Sequence, residues 1–135
     1  MPSSARPHGI TALSVFFAAG SFIAFTSMVS LLAPGSFLEP MWRLNPRART
    51  AFESMGFWAP VLMGFVSAAC ASAASGLWRG RRWGYHLAVG ILVVNLVGDA
   101  LNVVLGTEPR AIIGIPIDAL LLVYLFRSSV RHWFV

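Results

Sequence analysis

The stretch "GYHLAVGILVVNLVGDALNVVLG", residues 84–106, decides the fold, because it is long enough to cross a bilayer and carries only one acid and one histidine. A transmembrane helix needs about 20 mostly apolar residues. Two other stretches, 10–33 and 54–78, reach this length without a charged residue, and a shorter one at 111–126 holds one acid. The sequence therefore predicts four transmembrane helices.

The composition places most of the chain in lipid. Of its 135 residues, 57% are hydrophobic and 11% are charged, with a mean hydropathy of +0.73, whereas a soluble domain has about 25% charged residues. We therefore expect one all-α membrane domain over residues 1–135. It is a four-transmembrane-helix bundle with helices at 10–33, 46–78, 84–106 and 108–128.

The connection after the first helix, residues 34–50, is too long for a turn and alternates apolar with charged side chains. This pattern is typical of a short segment that lies in the membrane interface. Asn45 followed by Pro46 predicts the N-cap and the first turn of the second helix. Arg49 and Glu53 then lie one turn apart on the same face of that helix.

The arginines indicate the orientation. All ten basic residues of the Lys and Arg type are arginine, and the net charge is +5. Six flank the helices on the side of the two termini, and four flank the other side. Because cytoplasmic flanks carry the excess of Arg, we expect a multi-pass inner-membrane protein with both termini in the cytoplasm. The bilayer is then its main partner, and nucleic-acid binding is excluded.

The second helix carries a ladder of small residues at every fourth position. Small residues at this period let another helix approach closely, which drives association in lipid. We expect the ladder to pack against a neighbouring helix; it consists of Gly56, Pro60, Gly64, Ala68, Ser72 and Gly76.

A polar stripe interrupts the apolar third helix. Asp99 has Asn95 four residues before it and Asn102 three residues after it, and at 3.6 residues per turn the three side chains fall within an arc of about 60°. An Asp at the centre of a membrane helix costs about 2.5–3.5 kcal/mol on the insertion scale. The stripe is therefore predicted to face protein or trapped water, not lipid.

Three carboxylates on three helices are predicted to reach a similar depth. Asp99 lies about 10 Å from the end of the third helix, and Asp118 and Glu53 lie within about 15 Å of the same membrane face on the neighbouring helices. The sequence thus predicts one polar cavity in the non-cytoplasmic half of the bundle.

Two interpretations of these acids stay open. In the structural one, each acid is satisfied by a neighbour: a polar group of an adjacent helix for Asp99, Arg110 for Asp118, and Arg49 for Glu53. In the functional one, the acids are held away from water and donate or relay a proton, because carboxylates inside a membrane commonly mark functional sites.

The functional interpretation predicts a membrane-embedded enzyme that acts on a lipophilic small molecule of the isoprenoid, sterol-like or quinone-like kind. Carboxylic acids can protonate an alkene, carbonyl or epoxide and take a proton back, which gives isomerisation or cyclisation. Asp99 and Asp118 are the predicted acid and base, and Glu53 modulates them. The predicted substrate-binding residues are amides that orient the acids and aromatics that stabilise a developing cation: Asn95, Asn102, Phe52, Phe57 and Trp58.

Two non-catalytic functions are the alternatives. One is an auxiliary or assembly subunit of a membrane complex, whose polar stripe pairs with another membrane protein. The other is a small proton- or cation-coupled carrier, working as a homo-oligomer. The sequence has no nucleotide, flavin or metal-binding motif, so neither a cofactor nor a metal site is expected.

The layout resembles that of the small four-helix bacterial membrane proteins of the DoxX-like kind. The resemblance is carried by the length, the helix count, Pro34 just after the first helix, and an acid followed by spaced glycines ("ESMG" at 53–56, then Gly64). It implies a four-helix membrane fold and assigns no catalytic residue.

Overall fold

The computed structural model describes residues 5–35, 37–106 and 111–134, and within them all regular structure is helical. A 3-10 helix, Glu39–Leu44, stands between α1 and α2. The α-helices are α1 (His8–Leu32), α2 (Pro46–Met55), α3 (Trp58–Trp78), α4 (Arg82–Leu105), α5 (Ala111–Phe126) and α6 (Ser128–Arg131). By length and composition α1, α3 and α4 can each cross a membrane, and α5 is a shorter apolar helix of 16 residues. The predicted all-α membrane bundle is confirmed.

Consecutive long helices run antiparallel. The Arg6 guanidinium lies 3.8 Å from the centre of the Trp78 ring and donates a hydrogen bond of 2.9 Å to the Trp78 carbonyl, so α1 begins where α3 ends. The Tyr85 hydroxyl donates to the Leu125 carbonyl at 2.9 Å, so α4 begins where α5 ends. We call this end of the bundle, which also holds the 79–82 turn, the terminal end, and the opposite end the distal end.

The buried core lies toward the terminal end. The last buried residue of α4 is Leu92, and the distal half of this helix is exposed or half-buried. The core cluster consists of Ile10, Leu13, Phe17, Cys70, Ala73, Leu77, Tyr85, Ala88, Leu92, Leu122, Leu125, Val130 and Phe134.

The predicted single helix over 46–78 is two helices, and Gly56 is the reason. This residue ends α2 with a φ of 64°, which glycine adopts without strain. A continuous helix would also place Pro60 in its interior, where proline removes a backbone hydrogen bond and clashes with the preceding turn. Because α3 begins at Trp58, Pro60 falls in its first turn, where proline is tolerated.

The other predicted boundaries shift by small amounts. The first helix, predicted over 10–33, is α1, and the third, predicted over 84–106, is α4. The fourth, predicted over 108–128, is described from Ala111 and ends at Phe126. Residues 107–110, which include Arg110, lie outside the described part of the chain.

The segment between α1 and α3 folds back onto the end of α1. The Trp42 side chain is buried and donates a hydrogen bond of 2.7 Å from its indole nitrogen to the Ser30 hydroxyl. The predicted N-cap is confirmed, since the Asn45 side chain accepts a hydrogen bond from the Ala48 amide at 3.2 Å. This segment therefore has a fixed structure at the distal end.

Two kinds of contact hold α3 between its neighbours. Toward α1, the Ser21 hydroxyl donates to the Ser67 carbonyl and the Ser67 hydroxyl donates to the Ser21 carbonyl, each at 2.9 Å. Toward α4, a Cβ added to Gly76 would lie 2.5 Å from the Cα of Gly84, so the two backbones touch. Such close approach between small residues is a common way for helices to associate in lipid.

The small-residue ladder makes only part of these contacts. Gly64 faces α1 and Gly76 contacts Gly84 on α4, whereas Ala68 and Ser72 are exposed. A step of four residues overshoots one turn by about 40°, so a strict every-fourth pattern winds around the helix. The ladder therefore leads from one neighbour of α3 to the other and passes through lipid-facing positions between them.

Candidate functional site

Two aspartates meet between α4 and α5. Asp118 on α5 is buried, with 5% of its surface exposed, and Asp99 on α4 is half-buried. Their carboxyl groups lie within hydrogen-bonding reach of each other. The antiparallel hairpin produces this meeting, because each residue lies a few turns from the distal end of its helix.

Gly114 makes room for the pair. It lies one turn before Asp118 on α5, and a Cβ added to it would lie 3.1 Å from the Cγ of Asp99. The Asp99 carboxyl group thus rests on the α5 backbone at a position without a side chain. Any larger residue at 114 would have to displace it.

The contact between the two carboxyl groups has a chemical consequence. An ionised carboxylate only accepts hydrogen bonds, so a hydrogen bond between two carboxyl groups requires that one of them carries a proton. Within the described residues, both ion pairs are made by Arg49 and neither involves an aspartate. The described surroundings of the pair therefore supply no cation to neutralise it.

The amides of the predicted stripe have different surroundings. Asn102 is half-buried and takes part in an interaction within the structure, whereas Asn95 is exposed. The described part of this chain therefore does not supply the protein surface that the stripe is predicted to face at Asn95. The buried face of α4 ends at Leu92, three residues before this amide.

Glu53 is not brought to the aspartates. Its carboxylate accepts a hydrogen bond of 2.9 Å from Arg49, which also pairs with Glu39, and all three lie in the segment between α1 and α3. This is the partner that the structural interpretation expects for Glu53. The break at Gly56 separates α2 from α3, so Glu53 does not lie on a bundle helix as the predicted single cavity requires.

The predicted aromatic residues lie beside Glu53, not beside the aspartates. Phe52 and Phe57 line a cavity of about 400 Å³ together with Glu53 at the distal ends of α1 and α3. Trp58 contacts Phe57 edge to face, with ring centres 6.4 Å apart, and is otherwise exposed. The remaining lining residues are Leu31, Leu32, Pro34, Gly56 and Pro60. Three of the lining residues, Pro34, Gly56 and Pro60, are of types that interrupt helices. They are the sequence signal for a cavity between helix ends.

The predicted acids and aromatics thus form two groups, a carboxyl pair with one buried and one half-buried member, and an apolar distal cavity with one carboxylate at its edge. Among residues 5–35, 37–106 and 111–134, no three His, Cys, Asp or Glu side chains come together in a way that could hold a metal ion. The chemistry that this arrangement supports is proton transfer by carboxylic acids.

A family model described as "Predicted membrane protein (DUF2127)" matches residues 9–129. The match covers α3 and α4 completely and all of α1 except its first residue. It says nothing about the DoxX-like proteins that the layout resembles. No curated protein and no solved structure matches the chain.

Proposed function

The chain belongs to the DUF2127 family of membrane proteins, and from its carboxyl pair we propose that it is a membrane-embedded enzyme that moves protons on a lipophilic small molecule. The observation that carries the proposal is that the carboxyl groups of Asp99 and Asp118 lie within reach of each other between two apolar helices. Two acids that share a proton there form both a proton donor and a proton acceptor in one place.

The proposed chemistry returns the carboxyl pair to its starting state. The protonated carboxyl group gives its proton to one carbon of an alkene, and the resulting cation loses a proton from another carbon to the other carboxylate. A proton then passes between the two carboxyl groups, which resets the pair. The double bond has then moved, or a ring has closed, without net gain or loss of protons. Asp118 is the more deeply buried of the two and Asp99 the more accessible, so Asp99 is the acid that first meets the substrate.

The surroundings of the pair favour an apolar substrate. Leu96 and Val103 lie one turn to either side of Asp99 on the same face of α4, and both are apolar and half-buried. In a membrane the exposed parts of these side chains would face lipid tails. A substrate that is itself dissolved in the bilayer, such as an isoprenoid, a sterol-like or a quinone-like molecule, would approach the pair sideways along this surface.

The proposal is tested by isotope incorporation. Purified protein is reconstituted into liposomes of total membrane lipid extract and incubated in D₂O, and the neutral lipids are analysed by mass spectrometry. We expect deuterium at non-exchangeable C–H positions of one lipid class, because the carboxyl proton exchanges with D₂O between turnovers and is then added to carbon. Labelling no greater than in protein-free liposomes would overturn the proposal.

Substitution of the acids locates the reaction. Asp99→Asn and Asp118→Asn should each abolish labelling, and the double variant should lose no more than either single one, as expected of residues that act as a unit. Glu53→Gln is the matched control, because it also neutralises a carboxylate but one that contacts Arg49 instead of the pair. A loss of labelling that only follows the amount of folded protein would favour the structural interpretation.

The exposed position of Asn95 favours a second candidate, an auxiliary or assembly subunit. Polar side chains inside membranes usually face protein, because unsatisfied polar groups are costly in hydrocarbon. A helix of another protein, or of a second copy, would satisfy this amide. Asn95→Leu should then abolish co-purification of the partner while Asn95→Gln retains it. Equal recovery with both variants would remove this candidate.

We also propose that the terminal end faces the cytoplasm and that the membrane is the inner one. The support is that the chain segments with six of the ten arginines meet at this end: the start of α1, the 79–82 turn and the segment after α5. Orientation by the positive-inside rule follows from such a bias.

A further inference from the structure

A cavity of about 310 Å³ lies at the terminal end, between the first turn of α4 and the segment that follows α5. Four of its six lining side chains are basic and the other two are aromatic. They are Arg82, Tyr85, His86, Arg131, His132 and Phe134. The site lies at the opposite end of the bundle from both groups of predicted site residues.

Apolar packing holds the basic side chains around this cavity. Phe134 is buried, and its ring lies 5.1 Å from that of Tyr85, which is itself fixed by its hydrogen bond to the Leu125 carbonyl. Val130 is buried in the same core cluster. Val130 and Phe134 therefore fix the short α6 and bring Arg131, which lies between them in the chain, to face the start of α4.

Among the described residues, no acidic side chain lies beside the positive charges around the cavity. The acidic residues that the structure describes all lie in the distal half of the bundle: Glu39, Glu53, Asp99 and Asp118. Bringing like charges together is unfavourable unless an anion lies between them. The buried side chains of Val130 and Phe134 nevertheless hold Arg131 close to Arg82 at the start of α4.

We propose that this cavity binds the phosphate group of an anionic phospholipid. Arg side chains present planar N–H groups that match phosphate oxygens, and the imidazoles of His86 and His132 can donate further hydrogen bonds. Arg82 is the first residue of α4, a 24-residue helix whose N-terminal amides and dipole also favour an anion.

The location identifies a lipid as the source of the phosphate. Trp83, beside Arg82, is 51% exposed, and Trp133 lies next to the buried Phe134. Tryptophans concentrate at the headgroup level of membranes, and basic pockets between membrane helices at this level bind anionic headgroups. The aromatic walls of Tyr85 and Phe134 suit the glycerol and the first methylenes of the acyl chains.

Native mass spectrometry of the full-length protein in detergent tests the proposal, with phosphatidylglycerol and phosphatidylcholine as probes. We expect the anionic lipid to be bound at least about tenfold more tightly than the zwitterionic one, and the Arg82→Gln/Arg131→Gln variant to lose about tenfold or more of this affinity. The matched control is Arg79→Gln/Arg127→Gln, which removes two charges from the same end without changing a lining residue. It should bind as the wild type does.

Three results would overturn the proposal. Equal losses in the two double variants would show attraction to the charged end of the bundle without a site. Equal affinity of the wild type for the two lipids would show no headgroup recognition. Displacement of phosphatidylglycerol by inorganic phosphate at the same concentration would identify a soluble anion as the ligand. Arg131→Gln alone, a change at an exposed side chain of α6, serves if the double variant does not fold.

Discussion

The carboxyl group of Asp99 occupies the space that a side chain on Gly114 would fill. The position of the Asp99 carboxyl group therefore depends on the absence of one methyl group. Gly114→Ala should displace this carboxyl group and separate it from Asp118, at a cost of up to about 1–3 kcal/mol for overpacking. The change should also abolish deuterium labelling of the lipid if the pair is the catalytic site.

Gly98→Ala is the control for this prediction. Gly98 lies on the same helix as Asp99, one residue before it, and a Cβ there would meet nothing within 4 Å. The substitution should be neutral or stabilise the protein by up to about 1 kcal/mol, because alanine is the better helix former. Thermal unfolding in detergent compares the two variants. Equal stability of both would show that the Asp99 carboxyl group does not rest on α5.

The orientation is measured with reporter fusions. A cytoplasmic reporter after residue 135 should be active, and the same reporter inserted within residues 36–45 should be inactive, since Phe134 and the described residues 37–45 lie at opposite ends of the bundle. Reversing the charge bias by replacing Arg79, Arg81 and Arg82 with Gln should weaken or invert this pattern. Activity of the reporter within 36–45 in the wild type would place the aspartate pair in the cytoplasmic half.

The backbone contact between Gly76 and Gly84 makes a second steric prediction. Gly76→Ala places a Cβ 2.5 Å from the Cα of Gly84, so α3 and α4 must separate. We expect a loss of about 1–3 kcal/mol or more, because backbone atoms cannot rotate away as a side chain can. Gly90→Ala, on α4 in open space, should not destabilise the protein. If chemical denaturation in detergent gives the same midpoint for both, the helices are not in contact there.

The reciprocal hydrogen bonds between Ser21 and Ser67 join α1 to α3 inside the apolar layer. Ser67→Ala should destabilise the protein by about 0.6 kcal/mol, the average for hydrogen bonds between membrane helices. The Ser21→Ala/Ser67→Ala variant should lose less than the sum of the single losses, because the two side chains act together. Ser72→Ala changes an exposed serine of the same helix and should have no effect. Strict additivity would indicate that the two serines are not coupled.

The sequence determines the helices more clearly than the breaks between them. Uncharged stretches of more than 20 residues leave no alternative to transmembrane helices, and Asn45-Pro46 predicts the start of α2 correctly. The end of α2 was not predicted, although Pro60 four residues after Gly56 was a usable signal: a helix cannot continue through both without losing a hydrogen bond. Helix periodicity alone gives no information on such a break.

The aspartate pair could be predicted from the sequence, whereas the basic cavity at the terminal end could not. The neighbouring positions of Asp99 and Asp118 follow from a hairpin of two helices, in which heights can be counted from the turn. The basic cavity could not be found by counting, because it depends on Phe134 and Val130 folding back into the core. The segment after α5 is too short for its pattern of apolar residues to show where it packs, so its contacts could not be predicted from the sequence.

The uneven burial along the bundle gives the molecule a stiff end and a compliant end. Core side chains clamp α1, α3, α4 and α5 together near the terminal end, whereas α4 has no buried residue beyond Leu92. Regions with few buried contacts open at the lowest free energy. We therefore expect the distal parts of α4 and α5 to separate at a lower free energy than the bases of the same helices. The proposed lipophilic substrate would need this local separation, and no unfolding of a helix, to reach the aspartates.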